Sequence, residues 1–140
     1  MIDISVVIPV YNAGVFIHKC LDSIISQKGG FSYEIILVDD GSTDNSVDVI
    51  RQYQESEVVK NSGGRIVLMR QQNAGPSKAR NRAIEMAQGR YLAFIDADDY
   101  WKPGFFMRTV AFLDKHEECI GVSVLQQVDT ISGVHVSPMI

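Results

Sequence analysis

The chain has 140 residues, 46% of them hydrophobic and 21% charged, with a formal net charge of −4 at pH 7. That length suits one domain with a sizeable core, and an acidic balance without a long basic run argues against nucleic acid as a partner. Cys20 and Cys119 are too far apart for a metal knuckle or redox pair, and no apolar stretch is long enough to cross a bilayer. Free thiols in a reducing cytosol are the simplest reading. The opening Met1-Ile2-Asp3-Ile4 reads as entry into a strand rather than as a signal peptide. The last residues, 135–140, bring neither helix cap nor polar tail, and the sequence is expected to be part of a longer chain.

Strand-like and helix-like patterns alternate along the chain, the mark of an α/β domain with a largely parallel sheet. Ile4–Pro9 is an apolar run, as expected of a strand covered on both faces. Phe16, Ile17, Cys20, Leu21, Ile24 and Ile25 follow at helical spacing. Tyr33–Val38 is the second strand. Ser42 or Asp44 is expected to cap the next helix, which carries Val47, Ile50 and Tyr53 on one face. Polar Glu55–Gly64 reads as a loop, and Arg65–Met69 as a short strand suited to a sheet edge. Pro76 fits the first turn of a helix with Ala79, Ala83, Ile84 and Ala87 on its inner face and Gly89 at its C-terminal cap. Tyr91–Ile95 is the fourth strand. A helix starting at Pro103 or Gly104 carries Phe106, Val110 and Leu113, Ile120–Leu125 reads as a strand, and Ser132-Gly133 as a turn between strands.

Acidic residues fall where strands end. Asp39-Asp40 closes the second strand, Asp96-Ala97-Asp98-Asp99 the fourth, and Tyr11-Asn12 stands in the same place after the first. In a parallel sheet these ends open on one edge, where ligands bind. Carboxylates crowded there repel one another unless a cation neutralises them, which points to a hard divalent ion, Mg²⁺ or Mn²⁺, and a phosphorylated ligand. Asp96 and Asp98, two apart in an extended segment, would point the same way. Asp40, Gly41 and Ser42 are explained as a turn, but Asp39 at the last strand position needs a partner, for which a uracil N3–H would serve. Tyr11 could pack in the core or stack on a base. The helix start at 73–82 offers free N–H groups and positive potential for a diphosphate, with Arg80 as its cation and Lys78 and Arg82 as solvated neighbours. P-loop, dinucleotide-fold and hydrolase-elbow motifs are missing. A phosphoacceptor receiver fails because its acidic pair would follow the first strand.

In order, Val7-Ile8-Pro9-Val10-Tyr11-Asn12, Val38-Asp39-Asp40-Gly41-Ser42-Thr43-Asp44, Asn73-Ala74-Gly75 with Ala79-Arg80-Asn81, and Phe94-Ile95-Asp96-Ala97-Asp98-Asp99 resemble the family 2 glycosyltransferases of the GT-A fold, from about residue 4 to residue 113. The resemblance implies a Rossmann-like α/β/α sandwich with a mostly parallel central sheet, here as one nucleotide-sugar-binding domain over 1–140. It implies a nucleotide-diphosphate-sugar donor, commonly a UDP-sugar, and a divalent cation. Pro9, Tyr11, Asp39, Arg80, Asp96 and Ala97 match nucleotide-sugar-binding positions, and Asp98 the metal ligand of the D-x-D motif. Asp40 and Asp99 are given supporting roles. The implied reaction is inverting transfer to a saccharide or lipid-linked acceptor in cell-surface polysaccharide or glycoconjugate synthesis, on the cytoplasmic side at the inner face of the membrane. The general base of such enzymes lies in a later acidic motif. Glu117, Glu118 and Asp129 do not match it, so no base is assigned. A module that holds nucleotide-sugar without turnover is the alternative.

Overall fold

The computed structural model describes residues 1–121, 125–130 and 133–138, with side chains described through residue 121. In chain order the elements are β1 (Ile4–Val10), α1 (Ile17–Ile25), β2 (Tyr33–Asp39), α2 (Ser46–Glu55), α3 (Glu57–Asn61), β3 (Gly64–Arg70), α4 (Pro76–Met86), β4 (Tyr91–Phe94), α5 (Phe105–Lys115), β5 (Leu125–Thr130) and β6 (Gly133–Pro138). β1 to β4 form a single sheet in the order β3-β2-β1-β4, and every pairing in it is parallel. The chain divides into two compact units, Met1–Phe105 and Phe106–Ile140. The second holds most of α5, whose least exposed positions include Phe106, Val110 and Leu113, and the antiparallel pair β5–β6.

In the first unit, the alternation of side chains along each strand sorts the core into two faces. Val7, Ile36 and Val38 pack with Ala79 and Ala83 of α4, with Val67 and Met69 at the margin. Val6, Ile8, Val10, Ile35 and Leu37, of opposite parity, are also fully buried. A strand covered on both faces must be apolar throughout, and β1 and β2 meet that condition except at Ser5, Glu34 and Asp39. Asp39 stands at the C-terminal end of β2. Ser5 and Glu34 belong to the other end.

There the Glu34 carboxylate, 1% exposed, accepts from the Ser5 hydroxyl at 2.6 Å, the Gln88 N–H at 2.8 Å and the Arg65 guanidinium at 2.7 Å. The Ser5 hydroxyl in turn accepts from the Gly89 N–H at 2.8 Å. Three strands and the turn entering β4 are thus tied by one acid. Burial pushes the Glu34 carboxyl upward, but the bonds from Ser5, Gln88 and Arg65 outweigh it and hold the group below its ordinary range.

Several sequence expectations are corrected. Residues 57–61 are helical rather than loop, because Ser56 accepts the Val58 N–H as an N-cap and Val59 is buried. The α2 N-cap is Asn45, without a side-chain cap bond, rather than Ser42 or Asp44. The Ser42 hydroxyl accepts the Asn12 N–H, and Asp44 takes the Ser46 N–H at 3.0 Å. Phe16 lies outside the α1 core face, half exposed at the N-cap. Ile84 is also exposed, since α4 meets the sheet through Ala79 and Ala83 alone. Gly89 is not the α4 cap, which is Ala87. A Cβ on Gly89 would lie 2.5 Å from the Ser5 nitrogen, so closeness to β1 is what requires glycine there. β4 ends at Phe94, one residue before the expected limit. The strand expected at 120–125 begins only at Leu125, and 122–124 lie outside the described residues. Ser132 of the expected turn lies outside them as well.

A carboxyl with a depressed pKa contributes stability that is complete above the ordinary carboxylate range and lost as pH falls through the folded-state value. Glu34→Gln is therefore expected to lower stability at pH 7 by about 2 kcal/mol, the cost of leaving buried partners ill-matched. It should also flatten the acid limb of the stability profile. Urea midpoints from pH 7 to pH 3 check both, and a variant as acid-sensitive as the native protein would remove Glu34 from this role.

Candidate nucleotide and cation site

Parallel pairing places Val10 opposite Asp39, so the segments leaving β1 and β2 start side by side. Asn12 stitches them together from a left-handed backbone, φ 47°. Its N–H donates to the Ser42 hydroxyl at 2.9 Å, and its side-chain oxygen accepts the Thr43 N–H at 2.8 Å. The Ala13 N–H reaches Ser46 and the Gly14 N–H reaches Asp44, both at 2.9 Å. Tyr11, held between these anchors, turns outward and is 54% exposed.

Successive residues at the end of β2 serve opposite sides of the sheet. Asp39, 0% exposed, receives the Ser42 N–H at 3.2 Å and Arg70 Nε at 3.3 Å, both on Oδ2. Its Oδ1 is buried without a hydrogen-bond partner. Such an atom is costly unless something supplies a donor. Asp40 is fully engaged instead. It accepts Gln71 Nε2 at 2.8 Å, the Ala74 N–H at 2.8 Å and the Gly75 N–H at 2.9 Å. The Gln71 bond above all, with those of Ala74 and Gly75, outweighs burial and holds this carboxyl below its ordinary range. Gly41, at φ +85°, lets the chain pass beside Asn73. The loop opening α4 is thereby fastened to the end of β2.

After β4 the chain turns at once, with the Asp99 N–H donating to the Asp96 carbonyl at 3.0 Å. Asp96 and Asp98 are therefore not aligned by an extended strand, as the sequence suggested. The turn gathers them instead and brings in Asp99: one carboxylate oxygen from each of the three lies within 4.8 Å of the others. Burial first, then the charges of Asp98 and Asp96, raise the Asp99 carboxyl. Below the turn, Cys20 is fully buried, with its thiol 3.7 Å from the Asp96 carbonyl. Burial, then Asp99, Asp98 and Asp96, push that thiol to about 12, so it stays protonated. From α4, Arg80 reaches across to Asp96 Oδ1 at 2.8 Å. Arg82 turns away, to the Arg70 carbonyl at 2.9 Å.

These parts surround a cleft of about 510 Å³. Pro9, Tyr11, Arg80, Asp96, Ala97 and Asp98 all line it; Asp39 does not, lying fully buried at the end of β2, next in the chain to Asp40, which does. Asn12, Phe16, Asn73 and Pro76 line it too. Phe16 was hidden by its fit to the helical pattern, whereas Asn12 and Asn73 stood in the motifs without a role of their own. The Asp96–Asp98–Asp99 set offers only carboxylate oxygen, which suits a hard cation such as Mg²⁺ or Mn²⁺.

A parallel sheet with flanking helices and an acidic cleft at its strand ends defines a Rossmann-like α/β protein of the GT-A type. Residues 5–138 match the family model described as Glycosyl transferase family 2, and the chain belongs to that family. It is 44% identical over 113 residues to the uncharacterized glycosyltransferase YibD of Escherichia coli K12, covering 79% of this chain and 31% of that protein. It is 39% identical over 128 residues to a poly(ribitol-phosphate) beta-glucosyltransferase of Bacillus spizizenii W23, covering 90% of this chain and 19% of that one. Among solved structures, S. aureus TarS 1-349 in complex with UDP superposes with a TM-score of 0.72 at 29% identity, over 83% of this chain and 33% of that TarS fragment. The mannosyltransferase PcManGT of Pyrobaculum calidifontis, in complex with GDP-Man and Mn²⁺, gives 0.67 at 26% identity, over 79% and 32%. The chain thus spans about a third or less of the lengths of these proteins. No helix among the described residues is long and apolar enough to cross a membrane.

Because Asp40 is the acceptor for two successive loop amides, Asp40→Ala should free the loop without unfolding the sheet. The Ala74 and Gly75 amides are expected to lose protection from hydrogen exchange while those of β1 and β2 keep theirs. Unchanged protection at 74 and 75 would show that the loop is held by other contacts.

Proposed function

We propose that this chain binds a nucleotide-diphosphate sugar, a UDP-sugar in the first instance, together with Mg²⁺ or Mn²⁺, and presents the sugar for inverting transfer to an acceptor hydroxyl. The observation that carries the reading is the convergence, on one cleft, of an exposed aromatic ring, a helix N-terminus with its arginine, and Asp96 and Asp98 of the acidic cluster. Each answers a different part of such a ligand. Tyr11 offers a face on which a base can stack. The unpaired Oδ1 of Asp39, an acceptor only, is suited to the N3–H of uracil. The first turn of α4 and Arg80 present N–H groups and positive charge to the diphosphate. Asp96 takes a ribose hydroxyl, Ala97 and Pro9 close the walls, and Asp98, with Asp99 beside it, holds the cation.

A cation held there would neutralise charge developing on the departing nucleoside diphosphate. The chain's own residues orient the donor. The Asn12 stitch fixes Tyr11, the Asp40 latch fixes α4, and the turn at Asp96–Asp99 sets the carboxylates. No residue described here is assigned as the base that deprotonates the acceptor. The likeness to a poly(ribitol-phosphate) glucosyltransferase supports a surface-polymer acceptor; a saccharide or lipid-linked acceptor reached from the cytoplasmic face of the membrane is part of the same proposal. Under the alternative, a binding module, the same donor contacts would hold without turnover.

Calorimetric titration of UDP into the folded chain, with Mn²⁺ and again with chelator, tests the reading. Binding that depends on Mn²⁺, and that is abolished in a folded Asp98→Ala protein, is expected. Unaltered UDP affinity in that variant would sink the metal assignment. Tyr11→Ala is expected to weaken uridine binding about tenfold without metal, the worth of one stacked ring. An unchanged uridine affinity would take Tyr11 out of the site.

A further inference from the structure

The Arg80–Asp96 ion pair joins two groups that the proposed function sends to different parts of the ligand: Arg80 to the diphosphate, and Asp96, itself a member of the acidic cluster, to a ribose hydroxyl. Arg80 comes from α4 on one side of the cleft and Asp96 from the turn after β4 on the other, yet their atoms meet at 2.8 Å. Neither is buried beyond reach: their side chains are 37% and 54% exposed, so the pair can open without disturbing the core. Its reason for forming is local. Three carboxylates with oxygens within 4.8 Å of one another repel, and a guanidinium lying across one of them relieves part of that charge.

We infer that Arg80 is the resting counter-ion of the acidic cluster, and that a cation and an anionic ligand release it together. A divalent cation arriving alone must compete with Arg80 for the cluster. A diphosphate arriving alone must draw Arg80 away from Asp96 and leave three carboxylates unrelieved. When both arrive the charges exchange: the cation replaces the guanidinium at the cluster, and the guanidinium moves to the phosphates. Cation and nucleotide binding are thereby coupled through a side chain of this protein, in addition to any direct contact between the two ligands. Linkage requires each to strengthen the other by the same factor. The inference rests on the nucleotide and cation site proposed above and adds to it an opposite-signed role for Arg80: a hindrance to cation binding and a help to diphosphate binding.

The test is a titration of Mn²⁺ alone, without nucleotide, into the wild-type chain, Arg80→Ala and Lys78→Ala. The last removes the same charge from an exposed position on the same helix. Arg80→Ala is expected to bind Mn²⁺ about two- to fivefold more tightly than wild type, the range that an exposed ion pair allows. Lys78→Ala should move the affinity far less. UDP affinity in saturating Mn²⁺ should change in the other direction for Arg80→Ala. Mn²⁺ affinity unchanged or lowered in Arg80→Ala, or raised equally in Lys78→Ala, would overturn the inference and leave the cation site standing. Absence of Mn²⁺ binding by all three folded proteins would remove the cation site itself, and the inference with it.

Discussion

A buried carboxylate with three donors, Asp40, is the interaction on which the geometry of the cleft depends. The parallel sheet brings the ends of β1, β2 and β4 to one edge, but a sheet cannot fix the loop that follows its outermost strand. Asp40 does so by taking two successive amides, Ala74 and Gly75, at the point where α4 begins. Charge-assisted bonds of this kind are short and directional, and here they set the start of an eleven-residue helix. Everything α4 contributes to the cleft, from Pro76 to Arg80, inherits its placement from that acid. The neighbouring Asn12 plays the same part for the segment after β1, with neutral bonds and a less buried side chain.

Much of this was legible in the sequence because the sheet is buried on both faces. Continuous apolar runs marked β1 and β2, and acids at the ends of the second and fourth strands pointed to an exposed edge with a use for them. The four ordered motifs then named the family, and six of the seven residues chosen from them line the cleft. What escaped was of two kinds. Some elements are held by a single contact: α3 is polar apart from Val58 and Val59, and one cap with one buried valine suffices to form it. Others depend on what lies opposite. Gly89 reads as a helix stop until Ser5 is seen against it, and Ile84 reads as core until Ala79 and Ala83 are found to fill the interface.

The acidic turn shows a subtler failure. Alternation along an extended strand suggested that Asp96 and Asp98 point the same way; their carboxylates do lie close together, but for a different geometric reason. The strand stops at Phe94, and the turn that follows gathers three carboxylates rather than two. A rule based on period two cannot see a hydrogen bond between residues three apart. Asp99, set aside as a supporting residue, is the member whose carboxyl is raised, by burial first and then by the charges of Asp98 and Asp96.

The sheet is finished differently at its two ends. At one, Glu34 is saturated by Ser5, Arg65 and Gln88. At the other, an oxygen of Asp39 is left without a partner and like charges are held close. The end away from the cleft is thus fully satisfied, while the cleft end, although Asp40 latches it, keeps an unmatched acceptor and crowded charge. A scaffold divided in this way is open to re-tailoring. Changes confined to the loops after β1, β2 and β4 can alter what the cleft accepts while the anchor at the far end goes on specifying the same sheet.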